Sequence, residues 1–331
     1  MPNVGYIRRE LALVLPMYQL IRDCLSGERH VKSLGVKYLP QPNPEDTSEE
    51  NLLRYKSYKE RAVFYNVTRR TLSGITGLVF ARNVNCTVPS ALEGVLEDAN
   101  GEGVSILQTS KRAMQYGLGY GRAGLFIDYP TTDGIVTQMM LDNGNVKPTV
   151  SLYAPWQVVN WRTVLVGSKR VLSLVVIQEP AIIQDDGFEI SEGWQWRVLK
   201  LEPLAGDTSA GDITDDLNDS EMGTTPLYYK VEFWNKGKSG KFAKGDEYFP
   251  TDSNGKLFTE IPFKFIGAEN NDSEVDHPPL YDLASVNIAH YRNSADYEES
   301  CFIVGQPTPW FAGLTEDCLL YTSDAADDTP C

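Results

Sequence analysis

The stretch 277–314, HPPLYDLASVNIAHYRNSADYEESCFIVGQPTPWFAGL, constrains this chain more than any other. Pro278 and Pro279 suit a first helical turn, where the N–H that proline lacks has no partner to lose. Leu280, Leu283, Ala284, Ile288, Tyr291 and Ala295 recur at three- and four-residue spacing and predict one apolar helix face. Asp282, Ser285, Arg292, Asn293, Asp296 and Glu299 form a polar row on the other side. A helix of this extent is roughly 30 Å long at ~1.5 Å per residue. The apolar run 301–304 reads as a short strand, closed by Gly305, Pro307 and Pro309, which stop both helix and central strand. Any globular core uses such two-sided helices, so the pattern alone assigns no function.

Ahead of that stretch, the chain changes character once. Residues 16–25 predict a short helix with Pro16 in its first turn and Gly27 just past its end. Residues 31–40 read as extended and lead into an acidic, proline-rich loop. Thr47 and Glu50 fit a capping box, opening a helix that could run to Val79 with Leu52, Tyr55, Tyr58, Ala62 and Tyr65 on its buried face. Arg54, Lys56, Lys59, Arg61, Arg69 and Arg70 give that segment a basic surplus, either a solvated face paired with Glu49, Glu50 and Glu60 or a contact to an acidic neighbour. Short helices are expected at 91–99 and 104–116. From 149 to 265, β-branched and aromatic runs separated by Gly, Asp and Asn predict an antiparallel meander. Asp207, Asp212, Asp215, Asp216, Asp219 and Glu221 interrupt it. They lack the ligand order and central Gly of a calcium loop and read as an acidic surface loop.

Enzyme signatures are missing at every spacing that carries chemistry. Gly117, Gly119 and Gly121 follow a predicted helix and open a strand, the reverse of a dinucleotide fingerprint, so a helix C-cap and turn explain them. His30, His277 and His290 form no HExxH, and no GxSxG or Walker motif occurs. Asp185 and Asp186 sit in an expected turn, without apolar surroundings to raise a pKa. No cofactor and no metal are expected. Cys24, Cys86 and Cys301 form no CxxC pair, which argues for buried free thiols over a disulfide framework or zinc site. No apolar run reaches the ~18 residues of a membrane span. The opening segment, with Glu10 before its apolar part and Pro16 within it, is too interrupted for a secretory signal, and synthesis in the cytosol is expected.

The wording of several segments goes beyond pattern. PPLYDLASVNIAHYRNSADYE and FIVGQPTPWFAG closely resemble portal proteins of tailed bacteriophages. IRDCLSGERHVKSLGVKYLP at 21–40, YKERAVFYNVTRRTLSGITGLVF at 58–80, APWQVVNW at 154–161 and IPFKFIGAEN at 261–270 agree with that likeness. The pieces run in colinear order over nearly all of 15–317. The resemblance implies a subunit of a dodecameric ring at one capsid vertex, through which double-stranded DNA is packaged and ejected. Its implied partners are further copies of the chain, the terminase, capsid and scaffold proteins, and a neck or tail adaptor. ATP hydrolysis would belong to the terminase. The implied location is the virion, after synthesis in the host cytoplasm.

The fold class expected on this basis is α+β: a helical and antiparallel β-rich portal wing leading into a long stem helix. Residues 1–145 would be the helix-rich wing part, 146–266 the β-rich part, and 267–317 the stem helix and start of the clip. Channel or subunit-interface candidates are Asp282, Ser285, Arg292, Asp296 and Glu299 on the helix, with Lys56, Lys59 and Arg61 in the basic segment. A net charge of −15 opposes phosphate gripping over most of the surface and suits a channel through which DNA slides. Residues 318–331, CLLYTSDAADDTPC, resemble a translated sequencing-library adapter and are expected to be a non-native tail. On that view the chain is truncated near Asp317, and the helix from Leu280 is expected to be poorly covered for want of a returning stem segment. Two other readings are a head-completion or adaptor protein, and an enzyme without a recognisable motif.

Overall fold

The computed structural model describes residues 3–82, 84–129, 147–204, 226–237, 240–252 and 255–305. The acidic loop at 207–221, the prolines after Gly305 and the tail 318–331 lie outside these residues. In chain order the helices are α1 (Arg9–Ser26), α2 (Glu28–Ser33), α3 (Glu49–Arg61), α4 (Val67–Val79), α5 (Glu93–Glu97), α6 (Ile106–Tyr120) and α7 (Tyr281–Gly305). The strands are β1 (Arg122–Asp128), β2 (Thr149–Tyr153), β3 (Val158–Val166), β4 (Lys169–Asp185), β5 (Ile190–Glu202), β6 (Tyr228–Lys236), β7 (Phe242–Tyr248) and β8 (Phe263–Gly267). The chain is therefore α+β, with antiparallel sheets. It divides into two compact units, Met1–Gly27 with Asn66–Asn287, and Glu28–Tyr65 with Ile288–Cys331.

In the first unit the β-rich region forms two sheets rather than one run. β3 to β7 make the expected meander, each strand antiparallel to the next. β8 leaves it and pairs with β1, which also pairs with β2, giving the order β2-β1-β8. The segment 151–161 is thus shared, its first part in one sheet and its second in the other. A glycine makes the small sheet possible: a Cβ on Gly124 would lie 2.5 Å from the Phe263 ring. The Arg197 guanidinium ties the sheets together, meeting Asp128 of β1 at 2.6 Å and Glu179 of β4 at 2.9 Å, while the Tyr153 hydroxyl donates to Glu179 at 2.8 Å. On the meander, Glu232 is almost fully buried among Lys200 (2.7 Å), Lys244 (3.0 Å) and the Trp234 indole N–H (3.0 Å). Burial pushes its carboxyl up, but those donors prevail and hold it down at about 2.

Local signals explain several helix ends. Ser105 and Gln108 close a capping box at the start of α6. α6 passes through Gly117 and Gly119 and stops at Gly121, whose φ of +77° is the left-handed C-cap expected of that glycine cluster. α1 begins earlier than expected, so Pro16 lies inside it rather than in its first turn. Residues 28–37 form α2 and a 3₁₀ turn instead of an extended segment. The single helix expected from Thr47 to Val79 is two helices. Ser48, not Thr47, caps α3 by accepting the Asn51 N–H, and Asn66 caps α4 by accepting the Arg69 N–H. Cys24 is buried, while Cys86 and Cys301 are exposed, which corrects the expectation of buried thiols.

α7 was expected to end before 301, with a strand following. It continues to Gly305 instead. Extending an existing helix adds a hydrogen bond for each residue fixed, whereas a four-residue strand would need a partner ladder. The helix is also better covered than expected: Leu280, Ala284, Ile288, Tyr291 and Ala295 are all buried. Past Ala295 that cover ends, and 301–305 are exposed. No helix among the described residues is long and apolar enough to cross a membrane.

Candidate functional site

Four of the residues singled out in the sequence, Arg61, Arg292, Asp296 and Glu299, find partners in the second unit, where α3 meets the later turns of α7. Tyr58 of α3 is buried and its hydroxyl donates to Asp296 at 2.5 Å. Burial first, and the adjoining carboxylate second, push the Tyr58 phenol well above its ordinary range. One turn further along α7, Glu299 receives Arg61, with Arg54 at 3.5 Å on the same carboxylate. The Arg61 guanidinium also lies 4.2 Å from the Phe302 ring centre. Arg292 reaches the Tyr38 carbonyl through its Nε at 2.8 Å. Beneath this polar layer the Phe64 and Tyr291 rings meet edge to face at 5.8 Å.

The break after α3 is part of the same arrangement. The Ser294 hydroxyl accepts the Val63 N–H at 2.8 Å and donates to the Val63 carbonyl at 2.9 Å. A backbone segment that leaves a helix loses both partners, and one side chain of α7 supplies them. Two groups expected to look outward, Arg61 and Glu299, are therefore each other's partners within the chain. Lys56 is exposed and Lys59 lies 6.0 Å from the Tyr55 ring centre, away from that pair. Asp282 and Ser285 are exposed on the first turns of α7, which belong to the first unit.

Sequence reasoning missed Tyr58, Ser294 and Tyr38. Tyr58 had been placed on an apolar face for its ring, and its hydroxyl went unused. Its spacing from Arg54 and Arg61 was the available signal, because three and four residues along a helix share a face. Elsewhere, a cleft of about 400 Å³ between α6 and the β2-β1-β8 sheet is lined by Thr109, Ala113, Gly117, Leu125, Val150 and Ile266, among others, with no ionisable side chain. Among the described residues no three His, Cys, Asp or Glu side chains gather as a metal site.

α7 is also where a comparison with known families lands. Residues 279–325 match a domain of unknown function, DUF4055. The DUF4055 match begins two residues before α7, takes in the whole helix with Arg292, Ser294, Asp296 and Glu299, and leaves both sheets outside. It also runs over 318–325, the first part of the segment set aside above as adapter-like. No curated protein matches the chain.

Proposed function

We propose that this chain is a subunit of a phage portal ring, an architectural protein that seats the packaging motor and passes double-stranded DNA. The observation that carries the reading is the colinear likeness over 15–317, whose longest piece falls on α7. In this reading α7 is the stem helix, the two sheets with α1 and α4 to α6 belong to the wing, and the exposed turns at 301–305 lead towards the clip. Its partners are further copies of the chain in a dodecamer, the terminase, capsid and scaffold proteins, and a neck or tail adaptor. The net charge of −15 supports a passage role, since DNA that must slide is not held by phosphate contacts. The channel or interface candidates in this reading are Asp282, Ser285, Arg292, Asp296 and Glu299 on α7 with Lys56, Lys59 and Arg61 on α3; Asp282 and Ser285 are exposed, and Asp296 and Glu299 also bond within the chain.

Negative-stain electron microscopy of the protein produced from its whole gene tests this. Rings with a central hole are the expected result. Discrete particles without a hole, at concentrations where the protein is folded, would overturn it.

A further inference from the structure

The β4–β5 pair outruns its neighbours in the meander. β3 pairs β4 only as far as Ile177, and β6 pairs β5 only from Gln195 onward. Residues 180–194 therefore form a two-stranded ribbon, with Pro180 opposite Trp194 and Asp185 opposite Ile190. A lone two-stranded ribbon is marginal in water, and its unpaired edges invite company. The tip is shaped, not slack: the Asp186 carboxylate accepts the Phe188 N–H at 2.9 Å and the Glu189 N–H at 2.7 Å. That leaves the Phe188 ring pointing into solvent, 101% exposed.

Cross-strand partners share a face, so the register puts Ile182, Ile190 and Trp194 on one side together with Asp185 and Glu192. Trp194 is 55% exposed and Ile182 62%. A bulge at Ile183 turns that side chain over Gly193 on the other side, where a Cβ would collide with it. Between 181 and 192 stand Asp185, Asp186, Glu189 and Glu192, without one Lys or Arg. The ribbon thus offers a face both apolar and acidic, and its partner must be apolar and basic.

We infer that this ribbon is an arm that docks on the outward face of α3 in a second copy of the chain. The inference rests on the ring reading above and names one contact within it. The outward face of α3 carries exposed Leu52 and Leu53 beside Lys56 and Lys59, while its acids Glu49, Glu50 and Glu60 stand at its two ends. Thirteen helical residues span about 20 Å at ~1.5 Å each, and six to seven strand residues span about the same at ~3.3 Å each. Arm and acceptor are different surfaces of one chain, so the contact is head-to-tail and repeats from subunit to subunit, which closes into a ring when the rotation allows.

Charge exchange tests it on the whole-gene protein. Exposed ion pairs are individually weak, but reversing two charges also sets up repulsion, so Asp185→Lys with Glu192→Lys should weaken self-association by about tenfold, measured by sedimentation velocity at low salt. Lys56→Glu with Lys59→Glu should weaken it similarly, and the four changes together should recover most of the loss. Phe188→Ser should weaken it at high salt as well. All these positions except Lys59, which is half-buried, are exposed, and an unchanged thermal midpoint confirms that each variant folds. Assemblies that ignore both charge reversals, or a fourfold variant with no recovery, overturn the arm while leaving the ring reading intact. A wild-type protein that stays monomeric overturns both.

Discussion

At the scale of single residues, the burial of charge sets the terms. Glu232 is held ionised in the meander by Lys200 and Lys244, with its carboxyl near 2 against an ordinary 4.5. Because the folded value is the lower one, its contribution is full above pH ~4.5 and is lost as the pH falls towards 2. Stability measured by urea unfolding should fall across that window, and Glu232→Gln should flatten this part of the fall. At neutral pH the same change should cost about 3 kcal/mol, since it leaves lysines facing a neutral amide. Little difference between the variant and the parent at pH 7 would show the cluster to be solvated. Tyr58 presents a smaller case. Tyr58→Phe keeps the buried ring and removes only its bond to Asp296, so a loss of about 1 kcal/mol is expected by the same measurement.

At the scale of elements, α7 is a helix of two regimes. From Leu280 to Ala295 its apolar side is buried, whereas 301–305 are held by backbone hydrogen bonds and one face-on guanidinium. Amide hydrogen exchange should therefore be slow through Ile288–Ala295 and faster by orders of magnitude beyond Ser300. Uniform protection to Gly305 would mean that the end is covered in solution by something further. The break between α3 and α4 has its own lever. Ser294→Ala removes the partners of both Val63 backbone groups, and because Val63 is near solvent the expected cost is only about 0.5–1 kcal/mol. Asn66→Ala should cost about 1 kcal/mol by uncapping α4.

At the scale of the molecule, the charge of −15 governs what the surface accepts. Proteins hold duplex DNA by neutralising phosphates, and binding weakens steeply as salt rises. The purified protein is therefore expected not to shift linear duplex DNA in a gel at 150 mM salt, even at tens of micromolar. Tight, salt-sensitive binding would turn the passage role proposed above into a gripping one.

How much was legible without coordinates follows from the range of the forces involved. The mixture of helices and antiparallel strands, the apolar face of α7, the Gly121 cap and the turn at Asp185–Asp186 were all readable. Each depends on neighbours a few residues away, through side-chain periodicity or the conformational freedom of one glycine. The split of the β region into two sheets was not readable, because Phe263 finds Phe126 across more than a hundred residues of chain. Nor was the helix break at Ala62–Asn66, where the Val63 N–H and carbonyl are satisfied by Ser294 from the far end of the sequence. Arg61 and Glu299 could be recognised as charged and on polar faces, but not as partners. Composition and local spacing determine what a residue can bond to; only the packing of distant segments decides which bond it makes, because that choice is settled by the desolvation of both groups at once.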